Sequence, residues 1–164
     1  MIQNRKINCI ILHHTADETL TSQYDKINVY HKDVKKFPLG GFGSYVGYHV
    51  LIEFNGDIIF CRPFEEVGAH DAGENADSVG VALAGNFNTQ QPSDMQILSF
   101  SKVCDIIFTM IEKQVPIEPH RKGDTTECPG KNIPDNWGTK IYLKQKINWL
   151  TQLANYLKTE LGIV

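Results

Sequence analysis

The chain has 164 residues, 41% of them apolar and 21% charged, with a formal net charge of −3. That length suits one domain with a single core. The charge balance and the lack of a Lys/Arg run give no support to nucleic-acid binding, and no apolar run approaches a membrane-spanning length. Arg5 and Lys6 precede an apolar stretch, but Ile7 to Leu12 is too short for a signal-peptide core and Asn8 interrupts it. Synthesis in the cytoplasm without an export signal is therefore expected.

In chain order, Ile7 to Leu12 reads as a continuous apolar strand, the kind buried on both faces of a sheet. His13 and His14 follow at its C-terminal end, where open α/β sheets bind ligands. Adjacent strand residues face opposite ways, so at most one of the pair reaches a given site. Ser22 with Asp25 predicts a capped helix to about Lys36, with Tyr24, Ile27 and His31 on one face and Val34 close by. His31 is expected there as a structural or solvated residue. The glycine-rich stretch from Pro38 to Gly47 lacks the Lys-Ser/Thr of a phosphate loop and is expected as the flexible rim of a cleft.

Tyr48 to Phe54 and Asp57 to Cys61 predict an antiparallel hairpin closed by a type I′ turn at Asn55-Gly56. Arg62 to Asp77 reads as a loop and Val79 to Ala84 as another core strand. Pro92-Ser93 with Gln96 signals a helix to about Gln114, whose apolar face runs through Ile97, Phe100, Cys104, Ile107, Phe108 and Ile111. Thr139 to Leu161 predicts an amphipathic helix with Leu143, Ile147, Leu150, Leu153 (or Ala154) and Leu157 inward, ended by Gly162. The pattern as a whole predicts an α/β fold, one domain over residues 1–164, with a mixed central β-sheet and helices packed on both faces.

The four cysteines form no CxxC pair and no disulfide-framework spacing, which suits a reducing compartment. Cys9 and Cys104 lie in apolar patterns and read as small core residues, and Cys61 reads as a buried residue ending a strand. Cys128 differs. It sits in His-Arg-Lys-Gly-Asp-Thr-Thr-Glu-Cys-Pro-Gly (120–130), among polar residues and turn formers. An imidazole and a thiol eight residues apart, held out of helix by Gly123, Pro129 and Gly130, are borderline-soft ligands that suit zinc. With His13 as a third ligand they leave one position for water, as catalytic zinc requires. Asp124 is the alternative to Cys128.

Five fragments then stand in one order: Ile-Leu-His-His-Thr-Ala (11–16), Val-Gly-Tyr-His-Val-Leu-Ile (46–52), Val-Gly-Ala-His-Asp-Ala-Gly-Glu-Asn (67–75), Ser-Val-Gly-Val-Ala-Leu-Ala-Gly (78–85) and His-x₇-Cys-Pro-Gly (120–130). Over about residues 8–133 the chain resembles the zinc-dependent N-acetylmuramoyl-L-alanine amidases of the type-2 family, which include small phage amidases and animal peptidoglycan-recognition proteins. The resemblance implies Zn²⁺ held by His13, His120 and Cys128. It implies Tyr48 and Thr126 as catalytic groups, and His70, Asn75 and His14 along the substrate cleft. Thr126 stands where phage enzymes often carry lysine, and a neutral hydroxyl stabilises an oxyanion less than an ammonium does. His49 and His70 are both candidates for protonating the leaving amine, with a supporting role favoured for His49 because it alternates away from Tyr48.

The implied activity is cleavage of the amide between N-acetylmuramic acid and L-alanine. The implied partner is peptidoglycan or a muropeptide, with no nucleic acid and no membrane insertion, and the expected state is a monomer. A phage lysin acting on the cell wall, a recycling enzyme acting on cytosolic muropeptides and an injected effector all fit. The competing readings are a non-catalytic peptidoglycan-recognition module, which commonly lacks the cysteine, and a zinc endopeptidase, which commonly adds a carboxylate.

Overall fold

The first apolar run becomes β1 (Cys9–His14), so both histidines belong to the strand itself. The structure, a computed structural model, describes residues 5–161. After β1 come α1 (Tyr24–Asp33), β2 (Val50–Ile52), β3 (Ile58–Phe60), β4 (Ser78–Leu83), α2 (Asp94–Ile111), β5 (Ile117–Pro119), a 3₁₀ turn (His120–Lys122) and α3 (Trp137–Leu161). The strands form one five-stranded sheet in the order β3-β2-β4-β1-β5. β1 runs parallel to β4 and β5, β2 runs parallel to β4, and only β3 is antiparallel. The sheet is mixed because the one tight hairpin adds its return strand at an edge, whereas the other strands are joined by long crossovers.

Alternation along the strands divides the core. On one side Ile10, Leu12, Val79, Val81 and Leu83 pack with Phe100, Val103, Cys104 and Ile107 of α2 and Tyr142 of α3. On the other, Leu51 and Ala82 pack with Val46 and Cys61, covered by Tyr24 and Ile27 of α1 and by Tyr48. Helices therefore cover both faces. Each fully buried Leu, Ile, Val or Phe contributes about 1.5–3 kcal/mol.

Several local expectations are corrected. The helix α2 has the full capping box at Ser93 and Gln96. At α1, however, Gln23 is the N-cap and no side chain of the cap bonds the helix. Ser22 instead donates from Oγ to Glu53 at 2.9 Å, and the same carboxylate accepts the backbone N–H groups of Gln23 and Tyr24. A buried glutamate at the end of β2 thus caps α1 from across the fold. The hairpin turn is not type I′, which needs positive φ at both central residues. Only Gly56 has it, at 89°, and its N–H bonds to Glu53 O at 2.9 Å. The loop is a three-residue one, closed by a glycine in the left-handed region. Cys9 is half-buried rather than core, while Cys61 and Cys104 are fully buried and all four thiols are free.

The α3 face is the largest correction. Leu143, Ile147 and Leu150, read as inward, are 51%, 63% and 54% exposed. The residues that meet the body are Gly138 and Tyr142, with Trp137 and Ile141 packed against the core. At Gly138 a Cβ would stand 2.3 Å from Ile117 Cγ2, so the missing side chain lets α3 press onto β5. Tyr142 Oη and Lys146 Nζ both donate to Asp105 of α2 at 2.9 Å. These ties fix the rotation of α3, and the leucine stripe lies about 100° further round. Gly162, read as its stop, lies outside the described residues.

Candidate metal centre and cleft

Three donors predicted from separate parts of the sequence meet at the C-terminal end of β1. One ligand atom each from His13, His120 and Cys128 lies within 4.8 Å of the others, the only such His/Cys/Asp/Glu group among the described residues. β1 delivers His13 from beside Ala82 of β4, with which it is in register. The 3₁₀ turn after β5 delivers His120. Cys128 arrives on the following loop, which Arg121 fastens: its guanidinium binds Asp135 at 2.8 Å and the carbonyls of Gly130 and Ile133, and its own N–H donates to Cys128 O. Asp124 is outside the cluster, 48% exposed and 3.8 Å from His120 Nε2.

The hydrogen bonds assign the ring nitrogens of His13. Its Nε2 lies 3.1 Å from His70 Nδ1, while its Nδ1 faces Cys128 Sγ at 3.7 Å. Nδ1 is therefore free for a metal, with Nε2 supported from behind. Burial, then the neighbouring histidines His70 and His120, hold His13 well below the ordinary histidine pKa, so its lone pair is available at neutral pH. Burial pushes the Cys128 thiol up to about 12, opposed by the His14 N–H that donates to Sγ at 3.4 Å. A divalent cation reverses that balance and favours the thiolate. A sulfur and two imidazole nitrogens at this spacing fit tetrahedral zinc with a fourth position open.

Tyr48 lies beside the donors, its ring centroid 5.1 Å from that of His13. Burial and then Cys128 raise its phenol well above the ordinary range, so it stays protonated. Thr126 is half-buried, and its Oγ accepts the Cys128 N–H at 3.2 Å, which leaves its own O–H free to donate. From Tyr48 a cleft of about 480 Å³ runs past Thr15, Ala16, Ile27 and His31 to a charged rim of Asp17, Glu18 and Lys26. Asp17 is held down to about 2 by its bonds with Lys26 and Thr19.

The remaining predicted site residues lie elsewhere. His14 turns to the opposite face of the sheet, where its Nδ1 accepts the Phe87 N–H at 3.1 Å and burial lowers it to about 4. Its contribution to the metal donors is its backbone N–H. His70 stands behind His13, and a Cβ on Gly80 would come within 2.5 Å of its ring. Asn75 folds its Oδ1 inward to accept the N–H groups of both His70 and Asp71. His49 is fully buried, with Nδ1 accepting from Gly80 N–H and Nε2 set against Glu66 O. His49 is thus engaged at both ring nitrogens, and the half-buried His70 turns its Nδ1 to His13.

The sequence reads His31 as structural or solvated, yet it lines the cleft. Its Nδ1 accepts the Gly47 N–H at 3.1 Å, so Nε2 carries the proton, and burial keeps the ring neutral with a pKa of about 4. The local signal was only a histidine on a helix, where a buried role is the commoner one. Asp71 and Glu53 give no local signal either, since these partners are 29 or more residues away.

The family profile described as N-acetylmuramoyl-L-alanine amidase matches residues 3–131. The chain belongs to that family. Among solved structures, the N-acetylmuramoyl-L-alanine amidase LysC from Clostridium intestinale is similar at a TM-score of 0.70 and 32% identity, with 87% of each chain covered. Among sequences, peptidoglycan-recognition protein SC2 of Drosophila melanogaster is 30% identical over 131 residues, covering 75% of this chain and 68% of the relative. The human N-acetylmuramoyl-L-alanine amidase is 27% identical over 109 residues, which span 65% of this chain and 18% of that larger protein. The amidase-family match ends just past Cys128 and Gly130, so it takes in every residue of the donor cluster.

Proposed function

We propose that this chain is a zinc-dependent hydrolase that cuts the amide between the lactyl group of N-acetylmuramic acid and L-alanine in peptidoglycan or its fragments. The observation that carries the reading is the clustering of His13, His120 and Cys128 beside Tyr48, a residue that also lines the cleft. His13 Nδ1, an imidazole nitrogen of His120 and Cys128 Sγ hold the metal and leave one position open. Bound zinc polarises a carbonyl and lowers the pKa of a water to about 7.

The protein supplies the rest. Tyr48, protonated at every working pH, donates a hydrogen bond to the oxygen on which negative charge develops. Thr126 adds a second, weaker donor from the loop that carries Cys128. His31 offers a neutral Nε2–H to a carbonyl of the substrate further along the cleft. The relatives named as peptidoglycan-recognition proteins raise a second reading, a module that binds without cutting. The complete donor set with Tyr48 favours the enzyme.

Mass spectrometry of digests of purified peptidoglycan tests this directly. The proposal expects stem peptides with a free L-alanine amino terminus and glycan strands with intact lactyl groups, a reaction abolished by a chelator and restored by zinc. Cuts within the stem peptide would make it an endopeptidase, and saturable binding without products would make it a recognition module.

A further inference from the structure

Asp71 is 3% exposed, and neither carboxylate oxygen has a hydrogen-bond partner among the described residues. A buried carboxylate without partners is costly and calls for an explanation. The polar atom facing it is His120 Nε2, 3.8 Å from Asp71 Oδ1, which is also buried and unpartnered. Two orphaned groups of complementary chemistry therefore face each other across a gap that a shift of about 1 Å closes to hydrogen-bond length.

The loop is built to hold that position. Asn75 Oδ1 accepts the N–H of His70 and the N–H of Asp71, at 2.8 and 2.9 Å. One amide thus fixes two consecutive residues, each aimed at a different histidine of the donor cluster. His70 presents Nδ1 to His13 Nε2, and Asp71 presents its carboxylate to His120 Nε2.

We propose that Asp71 is a positioning residue for the metal centre: its carboxylate accepts the Nε2–H of His120 and so commits Nδ1 of that ring to the metal. The inference rests on the zinc reading above. A neutral imidazole has one N–H and one lone pair, and the partner of one nitrogen decides which role the other takes. Asp71 is outside the ligand cluster itself, so it acts through His120 and not on the ion. Asp124 Oδ2 lies at the same 3.8 Å from Nε2 but is 48% exposed, where water competes for it. The buried carboxylate is the one with no alternative partner.

The test compares zinc affinity, by competition with a chromophoric chelator, in wild type, Asp71→Asn, Asp71→Ala and Asp124→Asn. Asp71→Ala weakens zinc binding about 10–100-fold, Asp71→Asn weakens it less because an amide oxygen still accepts, and Asp124→Asn leaves it within about threefold. In zinc-loaded wild type, ¹⁵N NMR of His120 shows a protonated Nε2, whose resonance moves in Asp71→Asn, a readout that holds even where Asp71→Ala fails to fold. Tight binding in wild type with unchanged affinity in the folded Asp71 variants would overturn the positioning role alone. Absence of zinc binding in wild type would overturn the zinc reading and this inference with it.

Discussion

In the proposed reaction, Tyr48 decides how the developing negative charge is met. A buried phenol next to Cys128 holds its proton above the ordinary tyrosine range, so it acts as a hydrogen-bond donor and has no capacity as a base near neutrality. Tyr48→Phe removes one preorganised donor and is predicted to lower kcat about 10²–10³-fold. Zinc content and the basic limb of the pH–rate profile stay where they are. Steady-state kinetics with metal analysis check this, and a full kcat in the variant would remove Tyr48 from the chemistry. The residue's role was legible in the sequence only through its fragment, because nothing in Gly47-Tyr48-His49 alone says which ring faces the metal. The sequence places its neighbour His49 on the opposite face by alternation, although both residues precede β2 and lie outside the strand. His49 is indeed turned away, with both ring nitrogens against backbone groups.

At the scale of elements, the site depends on ties between parts distant in sequence. Glu53 takes three donors at the start of α1, the helix that brings Tyr30 and His31 to the cleft wall. Glu53→Gln keeps the volume but turns a charged acceptor into an amide, and is predicted to cost about 1–3 kcal/mol. The measurement is chemical denaturation, and a midpoint equal to wild type would show that the cap is dispensable.

Arg5 does the same for the loop behind His13 and His120. Its guanidinium donates to the carbonyls of Phe64, Glu66, Asn75, Ala76 and Ser78. Arg5→Ala is predicted to cost about 2–4 kcal/mol and to weaken zinc binding, because it loosens the segment that carries His70 and Asp71. Denaturation and chelator competition check both effects, and a variant as stable as wild type would contradict them.

None of these ties could be read from local pattern. What could be read was local: the capping box at Ser93, the hairpin, the apolar β1 and a histidine-to-cysteine loop with no packing reason for its thiol. β5 escaped notice because three residues, one of them proline, carry no periodicity. On α3 periodicity identified an amphipathic helix but not what covers its apolar side, and Asp105 settled the rotation instead.

For the whole molecule, the buried histidines set the response to acid. His13, His14, His31, His49 and His70 all lie below the ordinary value, with burial the first cause in each. The unfolded chain binds protons near pH 6.5 and the native chain does not, so stability is full above that pH and is lost as pH falls through it towards the native values, about 4 for His14 and His31 and about 3 for His49. The loss is at most about 1.4 kcal/mol per pH unit for each histidine. Denaturation midpoints at pH 7, 6 and 5 should fall in that order. A flat series would mean that these rings charge without unfolding.

A zinc ion held by His13, His120 and Cys128 that cuts an amide ties metal content to cleavage. Zinc per chain and newly exposed L-alanine amino termini, measured in the same preparations of wild type and Cys128→Ser, test it most directly. Wild type is expected to carry one zinc per chain and to cleave until a chelator is added, with both lost in a variant that keeps its fold. Cleavage by the zinc-free variant, or zinc-loaded wild type that leaves the amide intact, would contradict it.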